Sequence, residues 1–241
     1  MGTGSSRFHI RPVDLPVFAV YGVIGLALNY LGFIYAIEFT SVATAITLVY
    51  TYPAFVVVFA FILFREPITR WKAVALGLTF IGIILSALAS SSLSLGGDSR
   101  GPVLALLTGV SVAVYTLSGK SVQARYQTQT ALFYSFLFGS LALGAFRAAQ
   151  LGLTYAIGAE AFLWIVVIAI VPTLLGYGMH TYSLRFIEAG NASIISNLEP
   201  VMAVILAYLF LGQTPASIQL LGTALIVSGV MVLQIRRTQG T

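Results

Sequence analysis

The chain has 241 residues, 59% of them apolar and 8% charged, with a formal net charge of +5 and a mean hydropathy of +0.98. A soluble domain of this size needs roughly a quarter of its residues charged to cover its surface, so this composition excludes one and makes lipid the solvent. Cysteine is absent, which excludes disulfides, thiol chemistry and cysteine-ligated metal.

Charges and turn residues cut the sequence into eight apolar runs: Leu15 to Ile37, Val42 to Phe64, Trp71 to Ser90, Pro102 to Lys120, Thr130 to Ala148, Ala161 to Phe186, Gly190 to Leu211 and Ser217 to Gln234. Each is close to the ~20 residues that cross ~30 Å of hydrocarbon. They are unbroken, so they read as helices, whereas barrel strands would alternate in polarity over ~10 residues. The connections are mostly short, which makes successive helices antiparallel. The longest connection, 91–101, is rich in serine and glycine and reads as a midpoint linker. The first run is long enough to span and follows polar residues, so it reads as a retained helix.

With the amino terminus in the cytoplasm, Arg7, Arg11, Arg65, Arg70, Lys72, Lys120, Arg125, Arg185, Arg236 and Arg237 fall inside, and Arg100 and Arg147 fall outside. That is the bias of the positive-inside rule. Both termini are then cytoplasmic, and the membrane expected is the plasma (inner) membrane. The basic excess is thereby a topological signal and implies no nucleic-acid partner. Trp71 and Trp164, near run ends, read as interfacial anchors.

Displaced by 147 positions, the sequence superposes Tyr30 on Tyr177, Tyr35 on Tyr182, Phe39 on Phe186, Ala45 on Ala192, Pro53 on Pro200, Val57 on Val204 and Gly82 on Gly229. The first three runs thus resemble the last three. Each run lies five helices from its copy, an odd number, so the copies cross the membrane in opposite directions, the inverted-repeat plan of many secondary transporters. The fourth and fifth runs have no copies ahead of the first. The fold expected is an all-α membrane protein of about eight transmembrane helices, built from two inverted repeats of a five-helix unit. The first repeat is truncated (1–90, three helices), a linker follows (91–101), and the second repeat has five helices (102–241).

Polar residues inside the runs are the candidate site. Glu199 stands out, because a carboxylate within a membrane helix costs at least a few kcal/mol by insertion scales unless paired, hydrated or protonated. Ser193, Asn197, Glu199 and Pro200 fall in one arc of the seventh run, and Pro200 withholds a backbone donor there. The second run repeats the theme with Thr47, Tyr50 and Thr51 ahead of Pro53, the two prolines being expected to kink their helices. Tyr52 holds the place equivalent to Glu199. His180, on one face with Thr173, Tyr177 and Thr181, has a side chain suited to proton relay; Asn29 of the first run and Tyr115 of the fourth complete a cavity wall. For Glu199 the alternatives are binding a substrate or proton, or satisfying a bent backbone. For the others the alternative is helix packing, where small and hydroxylated residues serve equally well. No second histidine or carboxylate stands at ligand spacing beside His180, so no metal and no cofactor are expected.

The segments Tyr35 to Glu66 (YAIEFTSVATAITLVYTYPAFVVVFAFILFRE) and Tyr182 to Gln213 (with NLEPVMAVILAYLFLGQ) resemble the two copies of the EamA repeat in the drug/metabolite transporter superfamily. The EP pair at Glu199 and Pro200 with the LFLG stretch is the most specific part. Gln213 departs from the pattern, standing where a closing glutamate is common. The resemblance implies ten helices in two inverted repeats, both termini inside, and carriage of small metabolites such as amino acids.

The function expected is a secondary transporter, an exporter working by alternating access, with a small-molecule substrate, the lipid bilayer, a coupling proton and a second copy of the chain as partners. The alternative is a non-transporting subunit or inactive truncated remnant that pairs with another membrane chain. An intramembrane enzyme is disfavoured, since no HExxH, GxSG, cysteine nucleophile or intrahelical aspartate occurs.

Overall fold

The computed structural model describes residues 8–89, 98–151 and 158–238; Arg7 and linker residues 91–97 lie outside these, and Arg236 and Arg237 are described in backbone alone. All regular structure among the described residues is helical. Among the described residues, eight helices are long and apolar enough to cross a membrane: α1 (Pro12–Phe39), α2 (Val42–Phe64), α3 (Arg70–Leu88), α4 (Arg100–Gln123), α5 (Thr128–Gln150), α6 (Ala159–Ser183), α7 (Ala189–Leu211) and α8 (Ser217–Ile235). Each expected run falls on one of them, and the chain is an integral membrane protein.

Two helices are discontinuous. α2 divides into α2a (Val42–Val49) and α2b (Tyr52–Phe64), and α7 into α7a (Ala189–Ser196) and α7b (Glu199–Leu211). Pro53 and Pro200 stand in the first turn of the new half-helix, where a missing N–H leaves no bond unmade. α1 and α6 carry π-helical stretches at Val20–Leu28 and Ala169–Leu175.

These boundaries repeat at the interval of 147 found in the sequence: Val42 with Ala189, Val49 with Ser196, Tyr52 with Glu199, Phe64 with Leu211, Arg70 with Ser217, and the π-helix ends Leu28 with Leu175. Among the described residues the left-handed backbones are Arg65 (φ 57°) and Gly212 (φ 64°), again related by the same interval. Each closes its helix with a matching bond that reaches back six positions across the left-handed residue, Glu66 N–H to Ala60 C=O and Gln213 N–H to Ala207 C=O, both 3.3 Å. Arg65 bears the Cβ penalty that Gly212 escapes, so Arg65→Gly is expected to stabilise the detergent-solubilised protein by about 1 kcal/mol. A lowered unfolding midpoint would contradict that assignment.

Contacts divide the chain into two compact units, one holding the chain up to Leu28 with Val114–Ile187, the other Asn29–Ala113 with Glu188–Thr241. In the first, α1 packs on α5 around Phe18, Tyr21, Leu26, Tyr115, Val122 and Ala131. Buried Asp14 accepts from Arg125 Nη1 (2.8 Å) and Tyr126 OH (2.6 Å). In α6 no residue of the apolar window is buried, and Phe162, Trp164 and Ile168 are more than half exposed.

In the second unit α3 and α8 make the most extensive contact. A Cβ on Gly82 would lie 2.5 Å from the Gly222 carbonyl, and one on Gly229 would lie 2.9 Å from the Ala75 carbonyl. Because 82 meets 222 while 75 meets 229, the helices run antiparallel. The interval of 147 carries 82 to 229 and 75 to 222, so the two contacts exchange under it, the self-complementarity of a twofold interface. α3 and its copy thus lie in opposite directions about a local pseudo-twofold. Smaller cores join Val57, Ala75, Ile194 and Leu233, and Ala36, Ala45 and Ala105.

Candidate functional site

The breaks in α2 and α7 turn mid-helix positions into helix termini. Tyr52 and Glu199 become the first residues of α2b and α7b, the end of a helix whose dipole favours negative charge. The Glu199 side chain thus stands at the start of a half-helix inside an apolar run.

In the second unit, the Tyr50 hydroxyl lies within hydrogen-bonding reach of Glu199, and Tyr52 within reach of Ser196. Tyr52 OH also donates to the Ser193 carbonyl at 3.3 Å. Tyr50 packs on the apolar cluster of Ile83, Val201 and Ile226. Glu199 itself is exposed and Asn197 fully buried. The Asn197 Oδ1 has no hydrogen-bond partner among the described residues, an open acceptor two residues from the carboxylate. The hydroxyls behave differently. Thr47 donates to Ala43 C=O, Thr51 to Leu48 C=O and Ser193 to Gly190 C=O, at 2.7–2.8 Å, so their protons serve their own helices and only oxygen lone pairs remain. Asn29 is half-buried at the start of the closing α-helical part of α1.

Tyr115, Tyr177 and His180 belong to the first unit. There Thr181 Oγ1 is the hub, hydrogen-bonded to Tyr21 OH (3.0 Å) and Tyr115 OH (3.1 Å). Tyr115 stacks at a tilt on Tyr21 and edge-on to Tyr177, with centroids 4.6 and 5.0 Å apart. His180 Nε2 lies 3.5 Å from Thr116 Oγ1. Tyr21 and Thr181 carry this network. The sequence places Thr181 on the face of His180 and Tyr177, but only the folded rotamers single out the pair.

A further group went unread in the sequence. Glu66, buried at the end of α2, accepts the amides of Ala189 (2.8 Å, Oε1) and Gly190 (3.1 Å, Oε2), the first two of α7a. Buried Lys72 pairs with Glu188 at 2.7 Å and donates to the Pro67 carbonyl at 2.9 Å. α7a has no side-chain cap of its own, so Glu66 caps it from another helix. The interval of 147 maps Glu66, Lys72 and Glu188 onto Gln213, Gln219 and Ser41. At that counterpart end α2a is capped locally, with the Thr44 amide donating to Ser41 Oγ at 3.1 Å, and Gln213 is exposed. One end of this pseudo-symmetric pair is therefore clasped by buried charges, while the other is capped within its own helix. The signal available in the sequence was Glu66 against Gln213, a charge retained in one copy alone.

Comparison with known proteins agrees with this architecture. The EamA-like transporter family matches residues 3–88 and 99–235. An uncharacterized transporter of Archaeoglobus fulgidus is 27% identical over 230 residues, 93% of this chain and 79% of that protein. The "Probable terminal-alkyne amino-acid exporter" of Streptantibioticus cattleyicolor is 25% identical over 95% of this chain and 76% of its own. The inner membrane transporter YicL of Salmonella typhimurium, also uncharacterized, is 26% identical over 90% and 72%. A protein crystal structure superposes with a TM-score of 0.81 at 19% identity, over 98% of this chain and 81% of that one, which establishes the fold. With both stretches of the sequence matched and the duplicated helices on the page, the chain belongs to the EamA-like transporter family.

Proposed function

We propose that the chain is a secondary carrier that exports amino acids or related small metabolites by alternating access. The observation that carries this reading is the one-sided clasp. Related ends of α2 and α7 are joined at Glu66 and parted at Gln213, the difference expected when a pseudo-symmetric pair opens toward one side at a time. With the cations inside and both termini in the cytoplasm of the inner membrane, the joined end faces the cytoplasm. The site in the second unit is rich in acceptors: the Glu199 carboxylate, the open Asn197 Oδ1 and hydroxyl lone pairs. Acceptors in that number suit an ammonium group or a coupling proton, and the amino-acid exporter among the relatives points to the same substrate class.

The test is a solute screen in cells expressing the chain, read as substrate efflux. Glu199→Gln, which keeps shape and removes charge, is expected to lower efflux at least tenfold, about 1.4 kcal/mol or more of lost binding or coupling. Unchanged transport would remove Glu199 from the mechanism.

A second reading, a non-transporting partner of another membrane chain, is favoured by the bare α6. Copies of α4 and α5 would pack against α6 as α5 packs on α1, whether supplied by preceding sequence or by another protein. In-frame translation upstream of Met1 that uncovers two apolar runs supports a ten-helix carrier, whereas none supports the partner.

A further inference from the structure

The first unit holds a cationic basin that the transport reading does not use. Lys120, Gln123, Arg125, Tyr126 and Arg185 line a hollow of about 490 Å³ where α4 ends and α6 gives way to the next connection. Lys120 Nζ donates to the Leu184 and Ile187 carbonyls at 2.8 and 2.7 Å. Arg185 donates from Nε to Gln123 Oε1 (2.8 Å) and from Nη2 to the Tyr126 carbonyl (2.7 Å). Neither is ion-paired among the described residues; of the three cations, only Arg125 has a carboxylate, Asp14. Neutral oxygens orient the Lys120 and Arg185 side chains but leave their charge uncompensated, and this lies at the rim of an apolar bundle where the local dielectric is low.

Arg185 and Gln127 also line a second hollow, of about 520 Å³, that continues from the first. Thr128 and Gln129 at the start of α5 line it too, and its remaining, largely apolar wall is Leu132 on α5 with Leu174, Leu175, Gly178, Met179 and Tyr182 on α6. Spacings of three and four along α6 put these on one stripe leading away from Arg185. From Arg185 to Leu174 the stripe runs about 16.5 Å at 1.5 Å per residue, about half of the ~30 Å hydrocarbon core. Gly178 opens the groove: a Cβ there would meet Leu132 Cδ1 alone, at 3.5 Å.

A basin with surplus positive charge that joins an apolar channel one leaflet deep fits a molecule with an anionic head and an acyl tail. We propose that this is a binding site for an anionic phospholipid, its phosphodiester held by Arg185 and Lys120 and one acyl chain laid along α6 from Tyr182 to Leu174. Basic pockets between transmembrane helices take such headgroups, and the shared Arg185 ties the two hollows into one site.

The experiment uses the full chain purified in detergent. Its thermal unfolding midpoint is followed while titrating dioleoyl phosphatidylglycerol, dioleoyl phosphatidylcholine or glycerol 3-phosphate. Phosphatidylglycerol is expected to raise the midpoint saturably, and the other two to leave it unchanged. Arg185→Gln is expected to weaken the phosphatidylglycerol response about tenfold, the loss of a charge-assisted contact. Gly178→Leu, which fills the groove and keeps every charge, should weaken it as well. Equal stabilisation by phosphatidylcholine, a full response to glycerol 3-phosphate, or an unchanged response in Gly178→Leu would overturn the proposal. If Arg185→Gln fails to fold, the Gly178→Leu titration decides alone.

Discussion

Replacing Glu66 by alanine is expected to unclasp α7a from the end of α2. The carboxylate is 8% exposed and satisfies two buried amides, those of Ala189 and Gly190. Hydrogen bonds to a charged group are worth ~1.5–3 kcal/mol each, and orphaned buried donors add their own cost. The joined arrangement should lose about 3 kcal/mol, enough to shift a two-state equilibrium more than a hundredfold. The chain lacks native cysteine, so one introduced at Ser193, fully buried on α7a, reports directly. In Glu66→Ala, its labelling by a membrane-impermeant maleimide should quicken in vesicles that expose the cytoplasmic face. Glu38→Gln, at an exposed carboxylate on α1, should leave the rate unchanged. Equal rates in Glu66→Ala and the parent would refute the clasp.

The second large effect lies at the crossing of α3 and α8. Alanine at position 82 puts its Cβ 2.5 Å from the Gly222 carbonyl and 2.8 Å from Ile226 Cγ1. Backbone cannot yield as a flexible side chain does, so the helices must part. Overpacking of this kind costs ~1–3 kcal/mol or more. Gly77 sits on the same helix with nothing within 4 Å of its notional Cβ, and Gly77→Ala should be neutral or stabilising by up to ~1 kcal/mol through helix propensity. Unfolding of the two variants in mixed micelles should therefore move in opposite directions. Movement in the same direction would mean that α3 and α8 do not approach as closely as described.

The helices were legible because charge is scarce. Arg65 and Glu66, Arg70 and Lys72, and Arg185 and Glu188 punctuate an otherwise apolar text, and α2 spans the expected residues at both ends. The duplication was legible because Pro53, Pro200, Gly82 and Gly229 bear on the backbone itself, where substitution is constrained. The division of α2 and α7 was not, since a proline in an apolar run reads equally as a bend or as the first turn of a fresh helix. The arcs of Thr47, Thr51 and Ser193 were found, but hydroxyl protons committed to their own carbonyls are invisible to residue spacing. The Glu66 clasp joins residues more than 120 positions apart, and Lys72 serves in the sequence as a marker of sidedness, which hides its second use.

The exchanged contacts between α3 and α8 have a mechanical corollary. Points on an axis of exchange stay in place when the related parts trade arrangements, and the stretch from Ala75 to Gly82, facing Gly222 to Gly229, contains such points. In the alternating-access carrier proposed above, that stretch is the fulcrum, and the helix ends are lever arms lengthening by 1.5 Å with each residue. Spin labels flanking the fulcrum should keep their separation through the whole cycle, while labels near Arg70 and Leu88 swing.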